Sequence, residues 1–305
     1  MTRVRVLAPA KINLTLHVTG QRADGYHTLD SLVAFAPVGD VLHITEGNVL
    51  SLTIEGPEAS GVPSDMSNLA MKAAALVDPD ARAALTLVKN LPVASGIGGG
   101  SSDAAAAFRG MLAWQGDARL KTYADNNWAR LGPAAERLLG LGADVPMCLM
   151  PRPLRAQGIG EKVSFVSFPA FHAVLVNPRV PVATPGVFRA LEQHSNPGMP
   201  DKAVRFENEP EVLEWISSQR NDLEAPAVKV QPVIGDVLAA LRETEGCRLA
   251  RMSGSGATCF GLYPDQGLAE RAANRLRAAQ PAWWVNATWI GDCAALAQPV
   301  TSEPD

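Results

Sequence analysis

The chain has 305 residues, 47 % of them apolar and 19 % charged, with a net charge of −4. This is a globular composition, long enough for one large or two ordinary domains. The acid excess argues against a general binder of nucleic acid or anionic membrane, because both need clustered Lys and Arg.

The N-terminal stretch lacks the apolar core of a signal peptide, and no run reaches the roughly 18 apolar residues of a membrane helix. In VRVLAPAKINLTLHV (4–18) the odd positions Lys11, Asn13, Thr15 and His17 are polar and the even positions are apolar. Period-two alternation predicts a half-buried strand, bent at Pro9, with Lys11 and Asn13 pointing the same way. Strand-like runs follow at 28–37, 40–45 and 49–54, then a helix over 66–77 and a strand over 84–90. A glycine loop precedes a helix in which Ala104, Ala107, Phe108, Met111 and Leu112 recur at helical spacing. Residues 119–141 read as helix, stopped at Gly142, and Asp144 precedes the apolar run VPMCLM.

PRPLRAQGIG (151–160) is the candidate boundary, dividing the chain into 1–160 and 161–305. Beyond it the pattern predicts strands at 162–167 and 172–176, then helices near 185–193, 209–218 and 224–244. A strand, a glycine turn and a strand span 248–263, followed by a helix at 265–279 and a strand at 283–290. Residues 194–220 read as a mobile flap or an ordered insertion, and the tail TSEPD as frayed. Strands and helices mix without regular βαβ alternation, so the class is α+β. Cys148, Cys247, Cys259 and Cys293 form no CxxC pair, and the five histidines show no HExxH or HxxxH spacing. Both facts suit a cytoplasmic protein with no protein-held metal.

LPVASGIGGGSSDAAAAFRGM (91–111) sets its glycines between a strand and a helix start. A helix N-terminus carries unpaired N–H groups and partial positive charge, and glycines let those groups approach an anion closely. The arrangement is a phosphate cradle. It lacks the Lys-Ser/Thr of a Walker loop and the third glycine of a dinucleotide fingerprint. The plainer alternative is a turn that lets the helix pack closely on a sheet.

PVASGIGGGSSDAAAA (92–107), PAKINLTLHVTGQRADGYHTLDSL (9–32) and RMSGSGATCFGLY (251–263) together resemble the GHMP superfamily of small-molecule kinases. GADVPMCL (142–149) and QRNDLEAPA (219–227) extend the resemblance. It implies two α+β domains with the active site in the cleft between them, an ATP-binding N-terminal one and a C-terminal one for the acceptor. The branch it resembles phosphorylates the 2-hydroxyl of the methylerythritol part of a cytidine diphosphate alcohol, in isoprenoid biosynthesis by the non-mevalonate route. Mg²⁺ is implied with ATP. The implied partners are small molecules only, and the implied state is a monomer or weak homodimer.

The same resemblance implies roles for particular residues. Asp144 matches the catalytic aspartate and Lys11 its partner. Gly96, Gly98, Gly99, Gly100, Ser101 and Ser102 match the phosphate-holding loop. Asn13 is carried over as a neighbour that orients Lys11 or the acceptor. Tyr26, His27 and Phe188 match the cytosine site, with two rings clamping the base and the imidazole on its edge, and Thr184 and Pro185 line that pocket. Ser253–Gly256 is expected to close over the glycine loop or the diphosphate. Asp103 either points away from phosphate or acts through Mg²⁺. The loop departs from the family pattern at Val93-Ala94-Ser95, where a glycine is expected, and at Ile97, where a leucine is. For each residue a plain structural role stays open: a turn or capping aspartate, a solvated lysine, a core aromatic, a backbone-bonded amide or histidine. Two other functions stay open, another family member with a different acceptor and a catalytically dead ATP-binding regulator.

Overall fold

The computed structural model describes residues 3–117, 119–120, 133–200, 206 and 208–302. Two sheets organise them. The first has the order β12-β1-β3-β5-β4, with β2 and β6 also on β3 and β7 on β6. Its strands are β1 (Arg3–Asn13), β2 (His17–Gln21), β3 (His27–Glu46), β4 (Ser51–Glu55), β5 (Ala83–Val88), β6 (Leu154–Gly158), β7 (Lys162–Phe165) and β12 (Val300–Ser302). The second has the order β11-β8-β10-β9. It is built from β8 (Phe171–Asn177), β9 (Leu249–Met252), β10 (Cys259–Tyr263) and β11 (Trp284–Ile290). The mixed architecture is the α+β class expected.

On the first sheet lie α1 (Leu69–Val77), α2 (Gly99–Trp114), α3 (Pro133–Leu141) and α4 (Val145–Leu149). Residues 102–112 of α2 are all buried, and its alanine run fits the helix tightly among its neighbours. On the second sheet lie α5 (Thr184–Arg189), α6 (Glu209–Ser217), α7 (Glu224–Val230), α8 (Val233–Arg242) and α9 (Gln266–Ala279). A third core joins the sheets: Ile12, Leu14 and Leu32 pack with Phe171, Leu175 and Phe260.

Several expectations change. The run 4–18 breaks into β1 and β2, and a bulge falls between Pro9 and Ala10. Its polar side is not solvated. Lys11, Asn13, Thr15 and His17 are all buried: the glycine loop lies over Lys11, and Ser253, Met199 and Pro197 meet Asn13, Thr15 and His17. The runs 28–37 and 40–45 are one strand, β3. The helix near 224–244 divides at Pro232, which supplies no N–H to continue it. The candidate boundary holds β6, and β6 pairs with β7, so a division at 160/161 cuts a hairpin. Val300, Thr301 and Ser302 pair with β1, so this part of the tail is not frayed. Of the helix expected over 119–141, residues 121–132 lie outside the described residues.

The stretch from 194 is anchored where it is described. Asp30, buried on β3, receives Arg155 in a two-pronged ion pair at 2.7 and 2.6 Å, and the Met199 backbone N–H at 2.8 Å. The Arg155 guanidinium also donates to the Met199 carbonyl at 2.8 Å.

Candidate active site

The glycine loop leaves β5 and enters α2 through two left-handed glycines. Gly96 has φ 74° and Gly98, at the N-cap of α2, has φ 66°. Lys11 lies beneath them: its backbone N–H donates to the Ile97 carbonyl at 2.9 Å. The Ser253–Gly256 turn closes from the other side, as expected. Ser253 Oγ donates to the Gly96 carbonyl at 3.1 Å, and Thr258 N–H donates to the Ser95 carbonyl at 3.1 Å. A Cβ on Gly96 would lie 2.6 Å from the Ser253 carbonyl oxygen and 2.7 Å from that of Gly256. Gly96→Ala therefore pushes the two loops apart and is expected to raise KM for ATP roughly tenfold or more, about 1–2 kcal/mol of left-handed strain being only part of the cost. An ATP titration of KM checks this, and an unchanged KM contradicts it. Ala94 stands at φ 51°, so the glycine expected in this stretch has a conformational reason.

A cavity of about 380 Å³ opens over the loop, lined by Gly96, Gly98, Gly99, Gly100, Ser101 and Lys89 among others. The first N–H groups of α2 have no partner within the helix. Ser102 does not share this surface. Its hydroxyl is buried and donates to the Pro9 carbonyl at 2.8 Å, which ties α2 to β1. The phosphate-binding expectation for its side chain is corrected accordingly. Asp103 is drawn inward to Lys89 at 2.6 Å, and Lys89 also pairs with buried Asp40. Burial, then Asp40, pushes the Asp103 carboxyl well above its ordinary range against the pull of Lys89.

Lys11 and Asp144 meet at 2.6 Å, with the lysine side chain 7 % and the aspartate 37 % exposed. Asp144 occupies the N-cap position of α4, yet its side chain makes no cap hydrogen bond. Its carboxylate goes to Lys11 instead, which sets aside the capping role. A second cavity, about 720 Å³, begins at Asp144 and Ser101 and runs out past Thr184, Pro185, Phe188, His27 and Tyr26. Ser101 lines both cavities. An anion on the glycine loop and a molecule in the second space thus face each other across Ser101 and the Lys11–Asp144 pair.

Family models described as GHMP kinases N terminal domain and GHMP kinases C terminal match residues 68–152 and 202–282. The chain is 53 % identical over 297 residues to a 4-diphosphocytidyl-2-C-methyl-D-erythritol kinase of Roseobacter denitrificans, covering 97 % of this chain and 96 % of that one. It belongs to the GHMP kinase family. A relative of the same name from Ruegeria pomeroyi is 50 % identical, covering 92 % and 97 % of the two chains. A crystal structure of 4-(cytidine 5'-diphospho)-2C-methyl-D-erythritol kinase superposes with a TM-score of 0.75 at 32 % identity, covering 94 % of this chain and 99 % of that one.

Within this GHMP kinase the aromatic end of the cavity differs from the expected clamp. Phe188 stacks on His27, with ring centroids 4.5 Å apart and planes 18° apart, and Tyr26 is 63 % exposed at the rim. Burial and the neighbouring His194 hold the His27 imidazole below its ordinary pKa. Asn13 lies off the cavity lining, beneath the Ser253 turn. Its Nδ2 donates to Ser31 Oγ at 2.8 Å, its backbone N–H donates to Ser253 Oγ at 3.0 Å, and its Oδ1 is buried with no partner among the described residues. It braces the turn against β1 and does not reach the acceptor space.

Sequence reasoning missed four contributors to this GHMP kinase site. Lys89 follows β5 and reads like any surface lysine. His194 follows α5 in a stretch without pattern. Asn221 donates to the Met252 and Gly254 carbonyls at 2.8 and 3.0 Å, shaping the turn over the glycine loop. Arg109, fully buried in α2, binds the Cys148 and Leu149 carbonyls at the end of α4. Only a charge inside an alanine-rich helix hinted at Arg109.

Proposed function

We propose that this GHMP kinase transfers the γ-phosphoryl group of ATP to the 2-hydroxyl of 4-diphosphocytidyl-2-C-methyl-D-erythritol. The observation that carries the reading is the Lys11–Asp144 ion pair at the junction of two cavities that share Ser101. Gly96, Gly98, Gly99, Gly100 and Ser101 hold the ATP phosphates through backbone N–H groups at the positive end of α2. The diphosphate alcohol lies in the larger cavity, its cytosine among Tyr26, His27 and Phe188 and its methylerythritol end towards Asp144.

The acceptor oxygen bonds to the γ-phosphorus, the bond from γ-phosphorus to the β–γ bridging oxygen breaks, and ADP leaves. The hydroxyl proton passes to Asp144. Positioning matters more than basicity in a loose phosphoryl transfer, because the proton leaves late. Lys11 orients the carboxylate and places a positive charge where negative charge shifts during transfer. Mg²⁺ enters as part of the nucleotide substrate. Among the described residues no group of three or more Asp, Glu, His or Cys side chains is arranged to hold a metal. Four free cysteines, three of them buried, support a cytoplasmic setting.

The test is ADP release with MgATP and each of three acceptors: the cytidine compound, homoserine and mevalonate. The cytidine compound alone is expected to drive ADP release. Turnover of homoserine or mevalonate, without turnover of the cytidine compound, contradicts the reading.

A further inference from the structure

The acceptor cavity contains a second histidine, His194. His27 Nε2 and His194 Nδ1 lie 3.1 Å apart. The two ring planes are 26° apart and the centroids 5.3 Å apart. That separation is the N···N distance plus the two ring radii, so the imidazoles meet edge to edge in nearly one plane. Phe188 covers a face of His27 at 4.5 Å. Phe188 thus sets the plane of the His27 ring, and His194 sets its rotation within that plane.

The backbone that carries His194 is fixed in place. Asn196 donates to the Val18 carbonyl from its backbone N–H at 2.9 Å and from Nδ2 at 3.2 Å. Ser195 Oγ reaches the Thr19 carbonyl at 3.4 Å. Three residues further on, Met199 N–H is held by Asp30.

An N···N contact between two neutral imidazoles needs one donor and one acceptor. It therefore couples the tautomer of His27 to that of His194 and leaves only the Nδ1 of His27 for a ligand. Cytosine presents an exocyclic amine where uracil presents a carbonyl. A bare Nδ1 accepts from the amine and repels the carbonyl oxygen.

Resting on the cytidine acceptor proposed above, we propose that His194 is a positioning residue for base selection. Its Nδ1 accepts the Nε2–H of His27, which leaves the His27 Nδ1 unprotonated and favours cytosine over uracil.

The test pairs a spectroscopic readout with kinetics, using the full chain. ¹⁵N NMR of the ligand-free, histidine-labelled protein is expected to show His27 as the Nε2–H tautomer, and a mixture of tautomers in His194→Ala. With the cytidine acceptor and its uridine counterpart, His194→Ala is expected to raise KM for the cytidine compound about tenfold with kcat nearly constant. Its preference for cytosine in kcat/KM falls roughly tenfold. His194→Asn, whose amide stands near the place of Nδ1, restores most of both.

An Nδ1–H tautomer of His27 in the unsubstituted chain overturns the inference. So does a preference that His194→Ala leaves unchanged, or a lowered KM in that variant, which would make the histidine pair an obstruction to the base. Failure of the unsubstituted chain to use the cytidine compound at all overturns the acceptor reading instead, and the tautomer measurement still decides the role of His194.

Discussion

Asp144→Asn is expected to lower kcat by about two to four orders of magnitude, the usual contribution of a positioned general base, with ATP affinity and folding unchanged. The substitution keeps the size and shape of the side chain and leaves Lys11 an oxygen to bond. It removes only the group that accepts the acceptor's proton. The fold does not depend on the lost charge, because the Asp144 side chain caps nothing. The ion pair is also open to solvent on the aspartate side, at 37 % exposure, where such pairs add little stability. Steady-state kinetics, titration with a non-hydrolysable ATP analogue and a thermal melt separate these effects. Turnover within about twofold of the unsubstituted enzyme removes Asp144 from the chemistry.

The second large effect is on folding. Arg109→Ala is expected to cost about 3 kcal/mol or more, from the cavity left by the side chain and from carbonyls that lose their donor. The Arg109 guanidinium donates to the Cys148, Leu149, Leu7 and Ala297 carbonyls at 2.7 to 3.2 Å. It therefore joins α2, the end of α4, β1 and the C-terminal segment at one point. Burial lowers its pKa to about 10, so it remains charged at neutral pH. At roughly 2–4 °C per kcal/mol for a domain of this size class, Tm falls by about 6 °C or more. Arg109→Lys keeps the charge but not the fork that reaches four carbonyls, and is expected to lie between. Because α4 begins beside Asp144, Arg109→Ala also lowers kcat. A melt within about 1 °C of the unsubstituted chain contradicts this role.

The outline of the site was legible in sequence because it rests on local rules. Glycines ahead of an alanine-rich helix can be read without any tertiary contact, and the strand that carries Lys11 announces itself by alternation. What lay beyond reach were pairings set by the fold. Lys11 and Asp144 stand 133 residues apart, and only family resemblance joined them in advance. Ser101 and Ser102 are adjacent in a first helical turn. Composition does not tell which one turns to the cavity, and contact of α2 with Pro9 on β1 decides it. The polar side of β1 read as solvated because alternation reports one buried face and is silent about a second layer. That layer is the glycine loop over Lys11, the 251–256 turn over Asn13 and the segment beyond 194 over Thr15 and His17. The buried charges Asp30, Asp40, Lys89 and Arg109 escaped for the same reason, since each is tolerated inside only because its partners come from distant parts of the chain.

The most direct measurement is a crystal structure of the enzyme with a non-hydrolysable ATP analogue and the cytidine diphosphate alcohol bound together. The account predicts the triphosphate on the backbone of Gly96–Ser101, with the acceptor 2-hydroxyl about 3–3.5 Å from the γ-phosphorus and in hydrogen-bond reach of Asp144. A triphosphate seated elsewhere, or a hydroxyl held away from Asp144 with the nucleotide in place, would contradict it.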